Sequence, residues 1–213
     1  MLAMRPRRLF TGFVSAGAIV IFVIHGAHAG TPTDELRGRV DQVIRILQRS
    51  ELQGESNATD RRTAVRRVAN EIFAFEETAK RTLGRHWQER TAAEREEFTR
   101  IFADLVEHAY ISKIDRYSGE NVSYVGESVD ADEATVRTKI LTKQSSQIPV
   151  DYRMLRQGSQ WRVYDVIIEG VSLIANYRAQ FNKIIQTSSF ENLVAKLRAK
   201  AFSAPDSAKG KPG

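Results

Sequence analysis

The chain has 213 residues, 42% hydrophobic and 27% charged, with 32 basic against 26 acidic side chains and a net charge of +6. It contains no cysteine, which excludes disulfides, thiolate metal sites and cysteine nucleophiles, so packing alone must hold the fold. A mild positive excess without a long basic block or an RNA-binding signature argues against nucleic acid as a partner.

The first element is an export signal. Arg5, Arg7 and Arg8 precede a charge-free apolar run of 16 residues, Leu9 to Ile24, and Ala27-His28-Ala29 follows it. A basic n-region, an apolar h-region and a small-x-small site describe a cleaved signal peptide, and the run is shorter than the roughly 20 residues a bilayer-spanning helix needs. A retained membrane anchor is the alternative. No cysteine follows the site, so lipoprotein processing is excluded. Arg7-Arg8-Leu9-Phe10 fits a twin-arginine signal only in part, and the export route stays open. Cleavage after Ala29 removes 29 of the 213 residues and three arginines, leaving 184 residues and a charge of +3.

Helical periodicity fills the first half of the mature chain. Leu36, Val40, Val43, Ile44 and Leu47 recur at spacings of three and four, one apolar face of a helix. Gly54 to Ala58 reads as a polar turn, and a second helix starts near Thr59 or Asp60 with Val65, Val68, Ile72 and Phe73 on its buried side. Phe75-Glu76-Glu77-Thr78-Ala79 restarts the helix, which ends at Gly84 as a C-cap. Thr91-Ala92-Ala93-Glu94 is a capping box opening a long helix whose apolar stripe is broad: Phe98, Ile101, Phe102, Leu105, Val106, Ala109, Tyr110 and Ile114.

After Gly119 the period changes to two. Four strands are predicted, Asn121 to Val125, Ala134 to Thr142, Gln147 to Leu155 and Gln160 to Ile168, with short connections that favour an antiparallel meander. Val163, Tyr164, Val166, Ile167 and Ile168 are apolar on both faces, so the last strand is expected to be covered on both sides. Two closing helices follow, Ser172 to Gln186 and Ser189 to Phe202, and Ser203 to Gly213 reads as a disordered tail. The fold class is α+β: N-terminal helices, a twisted antiparallel sheet of four or more strands, and C-terminal helices packing back across it.

No catalytic residue, metal ligand or cofactor site is assigned. Gly170-Val171-Ser172-Leu173-Ile174 stands where a nucleophile elbow would, but Ile174 replaces the closing glycine of that turn; Ser172 is read as a helix cap. His86 and His108, the histidines left after cleavage, have no ligand spacing, and Asp130-Ala131-Asp132-Glu133 lacks the glycine and terminal glutamate of a calcium loop.

Several stretches together resemble one family. They are Phe75 to Trp87 (with Phe73 and Ala74 before it), Tyr117-Ser118-Gly119-Glu120, Ile148-Pro149-Val150-Asp151-Tyr152-Arg153, and Trp161 to Phe181 with its Asn176-Tyr177-Arg178-Ala179-Gln180-Phe181 run. Their order and spacing resemble the MlaC-type (toluene-tolerance) periplasmic phospholipid-binding proteins over Leu36 to Lys200, and the lipid-binding domain is placed at 30–202. Ala74 departs from the aspartate found between the phenylalanines in many members, which touches a local cap. The resemblance implies a carrier and not an enzyme. It implies an apolar cavity between sheet and helices for the acyl chains of a phospholipid. Two docking partners are implied: an inner-membrane MCE-domain ABC transporter complex and an outer-membrane lipoprotein complex. The protein is expected to be a periplasmic monomer.

The positions expected to line such a cavity are Val150, Tyr152 and Met154 on one strand face, Val136 and Ile140 on another, and Val166 and Ile168 near a mouth at Gly170. Phe98, Phe102 and Leu105 come from the long helix, and Val171, Leu173, Tyr177 and Phe181 from the returning one. Each fits plain core packing equally well. A hopanoid-like cargo and a ligand-free interaction module are the alternatives to a phospholipid carrier.

Overall fold

The structure, a computed structural model, describes residues 30–52, 54–114, 117 and 119–199. The expected signal peptide (1–29), the tail (203–213), the end of the expected last helix (200–202) and the side chains of Tyr110 and Ile114 lie outside the described residues. The chain runs α1 (Pro32–Gln48), α2 (Ala58–Ile72), α3 (Phe75–Leu83), α4 (Ala92–Ile114), β1 (Asn121–Asp130), β2 (Glu133–Leu141), β3 (Gln147–Gln157), β4 (Gln160–Ile168), β5 (Val171–Ser172), α5 (Leu173–Thr187) and α6 (Phe190–Arg198). The strands form one antiparallel sheet in the order β1-β2-β3-β4-β5. The fold is α+β, with one strand more than the four predicted.

Helix starts follow local chemistry. Thr31 Oγ1 accepts the Asp34 amide at 3.1 Å and Pro32 opens α1, where a missing N–H costs nothing. The capping box before α4 forms as predicted: Thr91 Oγ1 accepts the Glu94 amide at 3.3 Å, and Glu94 Oε2 accepts the Thr91 amide at 2.7 Å. α3 begins at Ala74 without a side-chain cap. The Ala74 amide instead donates to the Val163 carbonyl at 2.8 Å, so the break between α2 and α3 is where the chain docks on β4.

Two of the differences from the expected boundaries have a clear physical reason. β1 continues to Asp130 where the period-two pattern ended at Val125. The register shifts between Tyr124 and Gly126, a bulge that inserts Val125 and hides the alternation beyond it. The acidic turn is thereby reduced to Ala131 and Asp132 between paired Asp130 and Glu133. After β4 the chain does not enter a helix at once. Glu169 (φ +50°) and Gly170 (φ +82°) form a two-residue turn of the kind that suits a tight hairpin. Val171 then pairs with Ile168 and Ser172 with Ile167. Val171 is a strand residue, and the helix starts at Leu173.

Among the described residues three apolar clusters stand out. α3, α4, α5 and α6 share one, around Phe98, Phe102, Leu105, Tyr177 and Phe181. α1, the end of α2 and the sheet share a second, around Leu36, Ile72, Val136, Met154, Trp161 and Val163. Ile46, Val65 and Val68 join α1 to α2 in a third. β4 is covered on both sides, as expected. Val163 faces α1 and α2, while Tyr164 lies under the Arg81 guanidinium of α3 at 3.9 Å and Asp165 under the start of α5.

Candidate functional site

The sheet register decides which predicted residues share a face. Val136 lies opposite Tyr152, Thr138 opposite Val150 and Ile140 opposite Ile148; Tyr124 lies opposite Thr138 and Val122 opposite Ile140; Tyr152 lies opposite Val166 and Val150 opposite Ile168. Antiparallel partners project to the same side, so Val136, Ile140, Val150, Tyr152, Met154, Val166 and Ile168 form one inner face. A second register shift, between Arg153 and Met154, adds Val163 to it by switching the parity of β4.

This face is graded. Near the β1–β2 turn it is solid: Ala134, Val136, Met154 and Val163 are buried beneath Leu36 and Ile72. Toward the opposite end Tyr124, Tyr152, Val166, Val122, Ile140, Ile148 and Ile168 are only half-buried. α1 lies across β1, β2 and β4 and is tied to the closed end, where Glu35 Oε2 accepts the Trp161 amide at 2.8 Å and Glu127 Oε2 accepts the Thr33 amide at 3.0 Å. The β1 bulge makes the latter contact possible, because it turns Glu127 to the inner face beneath the positive N-terminus of α1. The result is an apolar sheet face, packed at one end and retaining accessible surface at the other.

The helical residues assigned to the same lining are elsewhere. Phe98, Phe102, Leu105, Leu173, Tyr177 and Phe181 pack with one another and with α3 and α6, apart from the sheet cluster. Phe102 meets Tyr177 edge-on at 5.5 Å and Phe181 edge-on at 5.8 Å. Phe98, Phe102, Tyr177 and Phe181 are 0% exposed, and a side chain with no accessible surface touches a ligand only after something moves. Val171 is the reverse case: at 39% exposure it stands out at the tip beside Ile168.

Ser172 is a cap. Its Oγ accepts the Ala175 amide at 3.0 Å and donates to Asp165 Oδ2 at 2.7 Å. His86 is nearly buried, its Nε2 3.0 Å from Asn182 Oδ1. His108 borders a polar recess of about 390 Å³ between α2 and α4, lined also by Arg62, Arg66, Asp104 and Glu107 and by no strand residue.

Several inner-face residues were missed in the sequence reading, Thr138, Ile148 and Tyr124 among them. Thr138 is buried with its hydroxyl donating to the Val150 carbonyl at 2.7 Å; its place between Val136 and Ile140 gave its face, but a polar residue was not expected in an apolar lining. Ile148 was passed over beside Pro149. Tyr124 belongs with Tyr152 and Val166 around the sheet cluster, and the alternation Val122, Tyr124 was the available signal. Burial pushes the Tyr152 phenol up to about 12. The Tyr124 phenol is also pushed up, first by burial and then by Tyr152 and Asp41, against the opposing pull of Arg37.

A family model described as MlaC protein matches residues 37–199. The chain belongs to the MlaC family. Within that family a relative from Haemophilus influenzae, named intermembrane phospholipid transport system binding protein MlaC, is 21% identical over 166 residues, covering 76% of this chain and 78% of the relative. The toluene tolerance protein ttg2D of Pseudomonas putida is 21% identical over 160 residues, covering 74% of each. A solved phospholipid-binding protein from Ralstonia solanacearum, in complex with a phospholipid, superposes with a TM-score of 0.73 at 22% identity, covering 80% of this chain and 97% of that one. The MlaC match runs from within α1 to the end of α6, so the sheet with its β4–β5 hairpin and the aromatic cluster fall within the family's shared region.

Proposed function

We propose that this protein is exported, cleaved after Ala29, and acts in the periplasm as a monomeric carrier. It binds a phospholipid by its acyl chains and passes it between an outer-membrane lipoprotein complex and an inner-membrane MCE-domain ABC complex. Residues 30–202 form the lipid-binding unit. The observation that supports the reading is the inner sheet face, where Tyr152, Val166, Ile140 and Ile168 keep accessible apolar surface instead of packing it away. The names of the relatives, an intermembrane phospholipid transport protein and a protein crystallised with phospholipid, support the choice of cargo.

The energetics demand enclosure. A diacyl lipid carries about 30 methylenes at about 0.8 kcal/mol each, on the order of 24 kcal/mol of transfer free energy. A surface groove with half-exposed chains offsets too little of that. An apolar trough along this face must therefore take most of both chains, with α1 as its cover, while the head group stays hydrated at the open end.

The test is native mass spectrometry, with organic extraction, of the full chain expressed with its own leader and recovered from the periplasm. A protein starting at Gly30 and carrying one phospholipid mass is expected. A hopanoid mass would change the cargo, and a protein free of lipid under all loading conditions would make it an interaction module.

A further inference from the structure

The inner face holds two polar atoms that the apolar trough does not explain. The Tyr124 hydroxyl is buried with no hydrogen-bond partner among the described residues. The Tyr152 hydroxyl likewise has none among them, and burial alone accounts for its raised pKa. The two residues flank β2 diagonally, Tyr124 opposite Thr138 and Tyr152 opposite Val136, on the same side of the sheet, and Tyr152 contributes to the raised pKa of Tyr124. Thr138, the other hydroxyl on this side, is consumed by the Val150 carbonyl. The Tyr124 ring is held from outside by the Arg37 guanidinium, 4.6 Å from its centroid, which draws electron density from the ring and leaves the O–H a better donor.

A buried hydroxyl without a partner is costly enough to be rare, and phenylalanine would fill the same space without that cost. The enclosed Tyr124 hydroxyl, with the unpartnered but less enclosed Tyr152 hydroxyl on the same face, therefore points to a group that arrives with its own acceptors. A diacyl lipid carries two there by construction: the carbonyls of its acyl esters, at the junction between chains that seek the trough and a head group that seeks water. They accept hydrogen bonds and donate none, and a neutral phenol in an apolar setting is a donor suited to them.

Resting on the carrier reading above, we infer that Tyr124 and Tyr152 donate hydrogen bonds to the ester carbonyls of the bound lipid and so set the depth to which its chains enter. The pair reads the linkage between chain and glycerol, not the head group. The protein thus selects ester-linked diacyl lipids over ether-linked ones of equal length.

The experiment is competition binding with the delipidated full-chain product recovered from the periplasm. The probes are a dioleoyl phosphatidylethanolamine and its dialkyl ether counterpart, read by native mass spectrometry. Wild type is expected to favour the diester by about tenfold, the worth of one to two net hydrogen bonds. In Tyr124→Phe the ratio falls, and in the Tyr124→Phe/Tyr152→Phe double variant it approaches one. Equal binding of the two lipids by wild type overturns the inference while leaving the carrier reading intact, and it needs no variant to fold. A double variant that keeps the wild-type ratio overturns it as well. Failure of wild type to bind either lipid removes the carrier reading itself and this inference with it.

Discussion

The Ser172 hydroxyl donates to the carboxylate of Asp165 at 2.7 Å, joining the last residue of β5 to a buried position in β4. The other Asp165 oxygen accepts the Ile174 amide at 3.1 Å, and Arg153 stands 3.5 Å away. One carboxylate thus ties the start of α5 to the sheet. Asp165→Ala leaves these donors without an acceptor and is expected to cost about 2–4 kcal/mol. Urea unfolding should show a lower midpoint with an unchanged slope; an unchanged midpoint would mean that α5 is seated by its apolar face alone.

Phe102→Ala tests whether the aromatic cluster is core. Phe102 is 0% exposed among Phe98, Tyr177 and Phe181, and truncating such a side chain costs about 3–5 kcal/mol. The expected loss is the same in lipid-free and lipid-loaded protein. A loss confined to the loaded form would place Phe102 against the cargo.

Val171 and Val166 separate mouth from interior. Val171 is 39% exposed, so Val171→Glu should change stability by no more than about 0.5 kcal/mol while lowering bound lipid phosphorus, because the carboxylate stands at the proposed entrance. Val166 is half-buried on the inner face, and Val166→Asp should lose both lipid and several kcal/mol of stability. Wild-type phosphorus in Val171→Glu would move the mouth away from the β4–β5 turn.

Glu94 contributes a pH-dependent increment to α4. The Thr91 amide, and after it the Thr91 hydroxyl, hold its carboxyl below the usual range. A carboxyl depressed by folding stabilises the native state fully above its unfolded pKa, about 4.3, and loses that contribution as pH falls through the lower native value. Thermal melts should show a gap between wild type and Glu94→Gln at pH 7 that closes as the pH drops below about 4. A gap independent of pH would assign the effect to shape and not to charge.

Local interactions made much of this protein legible from its residues alone. The Thr91–Glu94 box, the cap at Ser172, the apolar faces of α1 and α2 and the change of period after Gly119 involve neighbours in sequence, so spacing reveals them. The resemblance to the MlaC family was legible for the same reason, since its motifs are short contiguous runs. What the tertiary structure decided depends on register. The bulges at Val125 and Tyr164 switch which residues face inward, and a one-residue slip exchanges the two faces of a strand. Pairing through β2 placed Tyr124 and Tyr152 on one face, and helix packing withdrew Phe98, Tyr177 and Phe181 into a cluster of their own. Period and composition say that a residue wants to be buried; only the assembled fold determines what it is buried against, because the free energy of apolar burial has no direction and many partners satisfy it equally.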